Sequence, residues 1–507
     1  MTLIDHLPIL VVLVPLFVAP FLAIIPNRGL LPWLIALVAS LITFLLAVAI
    51  TGQVLERGSI AYELGNWPVP FGIGLLIGPF SALMLLVISG ASLAALAWGR
   101  ASMNAEVDDP HQALLYSCWL LALAGLIGIT VTGDAFNVFV FMEISSLAAY
   151  VMVANGPKRQ ALTASFKYLI TGTLGATFYL IGVGYLYMMT GTLNLADMAV
   201  RVGQVADTMP VLIASGFLIT GLALKAALFP MHAWMPNTYQ FAPTPVTVFF
   251  AACSTKVALF VLMRFDFLVL QPNLSDHSML FSAILIPLAV TAFLVGSVVA
   301  VFERDLKRML GYSSVAQIGY IVLAASLVTT AGTTAAIVHM FNHALMKSAL
   351  FMAIGVLVLR FGSSKLDDLA GAGKLMPLTM LAFVLAGLSL IGVPLTAGFI
   401  SKWFLIQALL ETGTSGVVLT VLVLISSLLA VVYIWKVVEI AYFREPSEGL
   451  VAKCQGKATE APLMMMIVLG LLVAANFWFG LDSTLPVSLG QMEATSLMVA
   501  PTPGVKP

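Results

Sequence analysis

Long apolar runs follow one another from end to end of this chain, separated by short polar breaks. A run of ~20 apolar residues is what a helix needs to cross a bilayer. Fourteen such runs fall at roughly 6–25, 30–52, 72–99, 113–132, 135–154, 163–190, 210–235, 244–270, 278–302, 309–330, 333–361, 375–410, 416–442 and 461–481. Turn-forming residues mark the breaks, as in Pro26-Asn27-Arg28, Gly133-Asp134, Asn155-Gly156-Pro157 and Pro272-Asn273. A transmembrane β-barrel would instead show short segments of alternating polarity. The pattern predicts an all-α polytopic membrane protein, a single transmembrane domain over residues 1–507.

Two runs are wrong for plain helices. The seventh reads GLALKAALFPMHAWMP, with Pro230 and Pro236 inside it. The twelfth is too long and reads LAGLSLIGVPLTAGFISKWFLI, with Gly392, Pro394 and Gly398 in its middle. Proline removes a backbone donor and clashes with the preceding turn. In lipid the freed carbonyls are tolerated only beside protein or water. Broken helices at matching places in two halves point to a transporter site. These two lie five spans apart, each with a lysine, Lys225 and Lys402. Five is odd, so two five-helix repeats would be inverted relative to each other. They would cover about 113–270 and 278–442, flanked by helices within 1–99 and 461–481. No residue-level repeat is visible, so unrelated proline kinks are the plainer alternative.

Composition agrees with the membrane reading. Of 507 residues, 61% are hydrophobic and only 9% charged, against about 25% charged in soluble domains. The formal net charge is zero, so no nucleic-acid partner is implied. Cys118, Cys253 and Cys454 form no CxxC pair, which supports neither a metal site nor a disulfide framework. No haem or iron–sulfur ligation pattern is present, so no cofactor is expected. Asp5 and His6 precede the first run without a basic segment, so Leu7–Ile25 reads as a span rather than a signal peptide. Lys and Arg concentrate after odd-numbered spans: Arg28, Arg100, Lys158, Arg159, Arg304, Lys307, Arg308, Lys365, Lys374, Arg444, Lys453 and Lys457. Even loops hold little beyond Arg57 and Arg201, with Arg264 in the tail of span eight. The positive-inside rule then puts odd loops in the cytoplasm and both termini outside.

Charge matters most where lipid should forbid it. Glu143, Lys225, Lys256, Lys347 and Lys402 sit inside apolar runs or at their breaks, joined by His339 and His343. A central Asp or Lys costs roughly 2.5–3.5 kcal/mol. Such residues survive mostly by lining a hydrated path, pairing with one another, or relaying protons. Burial disfavours the charged form of a carboxyl or an amine, and an opposite charge nearby restores it. Making and breaking a Glu143–Lys225 pair would therefore swing the lysine's affinity for protons. The bland alternatives are a hydrogen-bonded structural acid at Glu143 and lysines snorkelling to an interface. His339, His343 and Lys347 are spaced i, i+4, i+8, on one helix face. Histidine titrates nearest neutrality, which suits a relay. Two histidines alone lack the acids or cysteines of a zinc site. A polar stripe bonded to backbone carbonyls is the structural alternative.

The remaining charges are more ambiguous. His232 either gates a path or fills the broken helix with a hydrogen bond. Lys402 is either the last carrier before an aqueous exit or an interfacial anchor. Lys167 contacts the pathway or anchors the start of span six. The run Glu303-Arg304-Asp305-Leu306-Lys307-Arg308 reads as a cytoplasmic loop with structural and topogenic charges.

Five segments carry a family resemblance: GDAFNVFVFMEISSLAAY, LKAALFPMHAWMPNTYQFAPTPV, DLKRMLGYSSVAQIGY, HALMKSALF and GVPLTAGFISKW. They resemble the proton-conducting antiporter-like subunits shared by Mrp-type multisubunit Na+/H+ antiporters and respiratory complex I. The stretch YLYMMTGTLNLADM leans towards the D-type subunit of the Mrp antiporters. The resemblance implies fourteen helices, two inverted five-helix repeats and broken helices seven and twelve. It makes Glu143 and Lys225 partners, Lys256 the central lysine, His343 and Lys347 the span-eleven relay with His339 beside it, and Lys402 the terminal lysine. One departure is Met235-Pro236-Asn237-Thr238-Tyr239, where the family often has an acid and a histidine. A proton uptake route through that second histidine is not expected, nor is the long lateral helix of the largest members.

The implied function is proton translocation along this Glu/Lys/His relay in exchange for Na+, within a multisubunit cation/proton antiporter. The alternatives are the same module in a redox-driven complex, complex I-like or hydrogenase-like, and a non-conducting scaffold. The chain reads as a transporter subunit rather than an enzyme, in a bacterial inner membrane, partnered by other hydrophobic subunits and the lipid bilayer. Glu143 is the one deep carboxylate, so no sodium cage of oxygen ligands is legible.

Overall fold

The computed structural model describes residues 3–25, 29–206, 208–271, 277–446 and 460–498. The readings at Pro26-Asn27-Arg28, Pro272-Asn273, Lys453, Cys454 and Lys457 lie outside the described residues. The first half of the chain holds α1 (Leu7–Ile24), α2 (Leu31–Arg57), α3 (Pro79–Glu106), α4 (Asp109–Val131), α5 (Ala135–Ala154), α6 (Gln160–Thr190), α7 (Leu195–Val202), α8 (Met209–Ala226), α9 (Trp234–Phe241) and α10 (Thr244–Phe265). The second half holds α11 (His277–Phe302), α12 (Leu306–Ala325), α13 (Thr330–Phe361), α14 (Ala372–Leu375), α15 (Pro377–Ile391), α16 (Ala397–Leu410), α17 (Thr414–Val438), α18 (Leu463–Leu481) and α19 (Thr484–Met498).

Twelve of the described helices are long and apolar enough to cross a membrane. Adding α12 and the broken pair α15/α16 gives the fourteen spans expected. The centre belongs to α10, α4 and α13, with 94%, 89% and 78% of their most apolar stretches buried. At the rim, α17 and α18 bury only 33% and 28%. Their outward residues, such as Leu424, Leu428 and Leu471, are exposed and apolar, as a hydrocarbon solvent requires.

Several boundaries differ from the expected ones. Residues 74–77 do not begin span three. They form strand β2 (Gly74–Ile77), antiparallel to β1 (Ile60–Glu63) with Ile60 opposite Ile77. The Gly78-Pro79 step then starts α3, because proline loses nothing at a first helical position. Arg100 and Lys307, read as loop charges, lie within α3 and α12. The α19 helix was not legible as a separate element.

The two breaks are built differently. The α8 helix ends before Pro230 is reached, capped by Ala227 in the left-handed region at φ 55°. Pro236 lies in the first turn of α9, where a missing N–H is harmless. The α15 helix ends at Gly392, left-handed at φ 91°. Gly398 is not part of that break but of the first turn of α16. A Cβ there would strike the Ser389 carbonyl oxygen, so glycine lets the two half-helices touch.

Candidate functional site

Glu143 sits midway along α5, with Oε1 buried and without a hydrogen-bond partner. The expected ion pair with Lys225 is not formed. Lys225 occupies the last turn of α8, where the helix dipole favours a cation. Its Nζ donates to Ser146 Oγ at 2.7 Å. Ser146 lies three residues beyond Glu143, one turn along the same face. The ammonium therefore rests one turn past the carboxylate, still within its Coulombic reach.

A cavity of about 40 Å³ opens beside Lys225, between Ser146, Tyr168 of α6, and Ser254 and Ala258 of α10. Its size, and the polar groups of Ser146, Tyr168, Lys225 and Ser254 among an otherwise apolar lining, suit water. Tyr168 stacks on Trp234 at 4.4 Å, and Trp234 Nε1 donates to the Leu224 carbonyl at 3.1 Å. These contacts tie the start of α9 to the end of α8. Lys256 follows two residues after Ser254 on α10. It is 1% exposed, and its Nζ donates to the Ala251 carbonyl.

Beyond Lys256 lies the stripe on α13. His343, Lys347 and His339 are all buried and within Coulombic reach of Lys256. Both ring nitrogens of His343 lack a hydrogen-bond partner, which is unusual for a fully buried imidazole. Its ring lies parallel to that of His339, 6.2 Å away. His339 Nε2 meets Gln317 Oε1 at 3.0 Å, and Nδ1 meets Ser401 Oγ at 2.8 Å. An amide oxygen only accepts, so this arrangement assigns the proton to Nε2 and makes Ser401 the donor to Nδ1. Lys347 Nζ donates to the Leu310 carbonyl at 2.9 Å and to Ser313 Oγ, both on α12.

Lys402 follows Ser401 on α16 and is 6% exposed. Its Nζ donates to the Leu390 and Ile391 carbonyls at 3.1 and 2.8 Å, and to Ser427 Oγ at 3.0 Å. These carbonyls close α15, so the lysine caps the broken half-helix rather than snorkelling outward. The Tyr320 ring lies 5.3 Å from the same Nζ.

The structure thus brings Lys256, His343, His339, Lys347 and Lys402 into one buried file, with Lys225 half-buried at its head, on the cavity that Ser254 of α10 also lines. Two candidates stand apart. His232, in the first break, stacks on Phe229 at 5.1 Å, and its Nδ1 has no partner. Lys167 is exposed beside the exposed Phe166 and Ile170, and does not join the file.

The NADH:quinone oxidoreductase/Mrp antiporter transmembrane family matches residues 132–430. The chain belongs to this family. It is 42% identical over 446 residues to the NADH-quinone oxidoreductase N-type subunit of Desulforudis audaxviator, covering 87% of each chain. It is 31% identical over 404 residues to the Na(+)/H(+) antiporter D-type subunit of Alkalihalophilus pseudofirmus, covering 80% of each. A solved chain of the Mrp complex from Dietzia sp. DQ12-45-1b superimposes with a TM-score of 0.88, at 26% identity over 98% of each chain. Every residue of the buried file falls inside the family match.

Other polar residues of this family member escaped the sequence reading. Ser313, Gln317 and Tyr320 lie at i, i+4, i+7 on α12, a spacing that marks one helix face. The motif DLKRMLGYSSVAQIGY contains that signal. Lys307, read as a loop charge, is buried; its Nζ donates to Thr244 Oγ1 at 2.6 Å and lies 4.0 Å from Glu106 Oε2. Glu106 also accepts from the Thr244 N–H at 2.8 Å, capping α10 from the end of α3. Nothing in the sequence pairs residues so far apart.

Proposed function

We propose that this chain is the proton-translocating, antiporter-like subunit of a multisubunit membrane complex of the Mrp or complex I-like type. The observation that carries the reading is the file itself. Titratable groups from α10, α13 and α16 follow one another through the buried centre, and the half-buried Lys225 of α8 leads to them beside a cavity suited to water. His343 stands mid-file with both nitrogens uncommitted, so it can take a proton on one side and release one on the other. Protons pass from Lys225 through Lys256 and the His343 stripe to Lys402. Transfer of Lys225 between Ser146 and Glu143 sets the direction.

Two energy sources fit the file. In cation/proton antiport, Na+ moves in exchange, supported by the identity to the antiporter D-type relative. In a redox-driven complex, partner subunits supply electrons, which the higher identity to the NADH-quinone oxidoreductase relative favours. Odd loops then face the cytoplasm of a bacterial inner membrane and both termini face outward, as Arg159, Arg304 and Lys365 suggest.

The test is proton flux in vesicles carrying the assembled complex. Lys256→Ala is expected to abolish flux while subunits still co-purify. Wild-type flux in this variant would overturn the relay, and joint loss of flux and assembly would favour the scaffold reading. Mass spectrometry of the purified complex separates the energy sources: iron–sulfur or flavin subunits mean a redox pump.

A further inference from the structure

The helices α2, α3 and α18 flank a seam on the outside of the bundle, away from the buried file. Near one end a cavity of about 270 Å³ is lined by Trp33 of α2, Trp98, Arg100 and Asn104 of α3, Met464 of α18 and Pro462 just before it. The Arg100 guanidinium lies over the Trp33 ring, 5.2 Å from its centroid, and has neither an ion pair nor a hydrogen bond among the described residues. Trp98 is fully buried, with its ring turned inward against Gly355 of α13. The helices α2 and α18 both begin at this cavity, and among the described residues no side chain caps either N-terminus. A guanidinium without a partner among the described residues and two helix N-termini at one cavity together suit an anion.

The same seam continues into hydrocarbon surroundings. A second cavity of about 540 Å³ is lined by Phe44 and Val48 of α2, Gly90 and Ala91 of α3, and Leu472 of α18. No ionisable residue among the described ones lines it. Along α3 it begins nine residues from Arg100, about 13 Å at ~1.5 Å per residue. One leaflet of a ~30 Å hydrocarbon core spans a similar depth. Ala97 and Ala101 line the first cavity, and the half-buried, small Ala94 lies between it and Ala91 of the second. The far wall is Phe341 and Ala344 of α13, on the face opposite His339 and His343.

We propose that this seam binds one anionic phospholipid of the leaflet on the Lys/Arg-rich side. Its phosphate sits against Arg100 and the two helix N-termini, and an acyl chain runs over Ala94 into the apolar cavity. Basic pockets between transmembrane helices on that side are suited to acidic headgroups. Trp33 lies where an interfacial tryptophan is favoured. The chain tip then rests on the back of the helix that carries the histidines. Binding in this seam does not depend on the relay reading and is measured without transport.

The test uses the purified complex, stripped of loose lipid and incubated with vesicles of phosphatidylglycerol or phosphatidylcholine, with bound lipid read by native mass spectrometry. Wild type is expected to retain phosphatidylglycerol over phosphatidylcholine. Arg100→Gln is expected to lower retained phosphatidylglycerol about fivefold, the worth of one basic residue near an acidic headgroup, with phosphatidylcholine unchanged. Ala91→Phe, which narrows the tail cavity, is expected to lower both lipids. Excess inorganic phosphate should leave the lipid bound; displacement would mean a free-anion site and overturn the proposal. Undiminished phosphatidylglycerol in both variants would overturn it as well. So would a photoreactive residue at position 104 that captures a partner peptide instead of lipid.

Discussion

At the residue scale, three of the lysines within the spans share one device. Lys225 meets Ser146, Lys347 meets Ser313, and Lys402 meets Ser427. An ammonium has three donors and no acceptor, whereas a neutral amine keeps a lone pair. A hydroxyl both donates and accepts, so it serves either protonation state without leaving a buried group unpaired. Ser146→Ala is therefore expected to slow proton flux without loss of assembly, because Lys225 is left to close onto Glu143. Flux in vesicles checks this, and combining Ser146→Ala with Glu143→Gln should remove that closure. A different buried charge is structural. Glu106→Ala strands Lys307 and should cost about 3–5 kcal/mol, read as a lower melting temperature. Replacing both partners by apolar residues of similar size should recover most of the loss. The deep charges themselves are legible in the sequence because lipid makes each one costly. Their serine partners are not, because hydroxyls are ordinary inside transmembrane helices, bonding their own preceding turns.

At the element scale, the two breaks differ in how they are made. Gly392 holds a left-handed conformation, and a Cβ there would lie 2.9 Å from Lys402 Cδ. Gly392→Ala is expected to lower both thermal stability and flux, since backbone strain of roughly 1–2 kcal/mol adds to displacement of the lysine. The first break bears the same strain at Ala227, where no glycine relieves it. Ala227→Gly should raise the melting temperature or leave it unchanged, a result opposite in sign. We read the two breaks as equivalent points of two inverted repeats, about 113–270 and 278–442. The prolines in the sequence announce that both helices are interrupted. They do not announce where, because the turn is taken at Ala227 in one case and Gly392 in the other. The β1–β2 hairpin was hidden for a related reason: residues 74–77 are apolar, and a short apolar run suits strand or helix alike.

At the scale of the whole molecule, the last described helix closes onto an early one. Glu493 of α19 accepts from the Phe80 N–H at 3.1 Å, capping the first turn of α3. Glu493→Ala is expected to cost about 1 kcal/mol, the usual worth of a lost N-cap, visible as a lower melting temperature of the purified complex. That contact joins residues 413 apart, and the Lys225–Ser146 bond joins residues 79 apart. The sequence by itself determined the membrane class, the number of spans, the two interrupted helices and the deep charges. Each of these follows from a local rule: every stretch of ~20 residues must satisfy hydrocarbon on its own, so a misplaced charge or an open backbone is visible where it occurs. Only the tertiary structure decided the partners. It held Lys225 on Ser146 instead of Glu143, buried Lys307 against Glu106, and laid Arg100 over Trp33 at the outer seam. Those outcomes depend on how helix faces pack against one another, and no local pattern records which distant face will arrive.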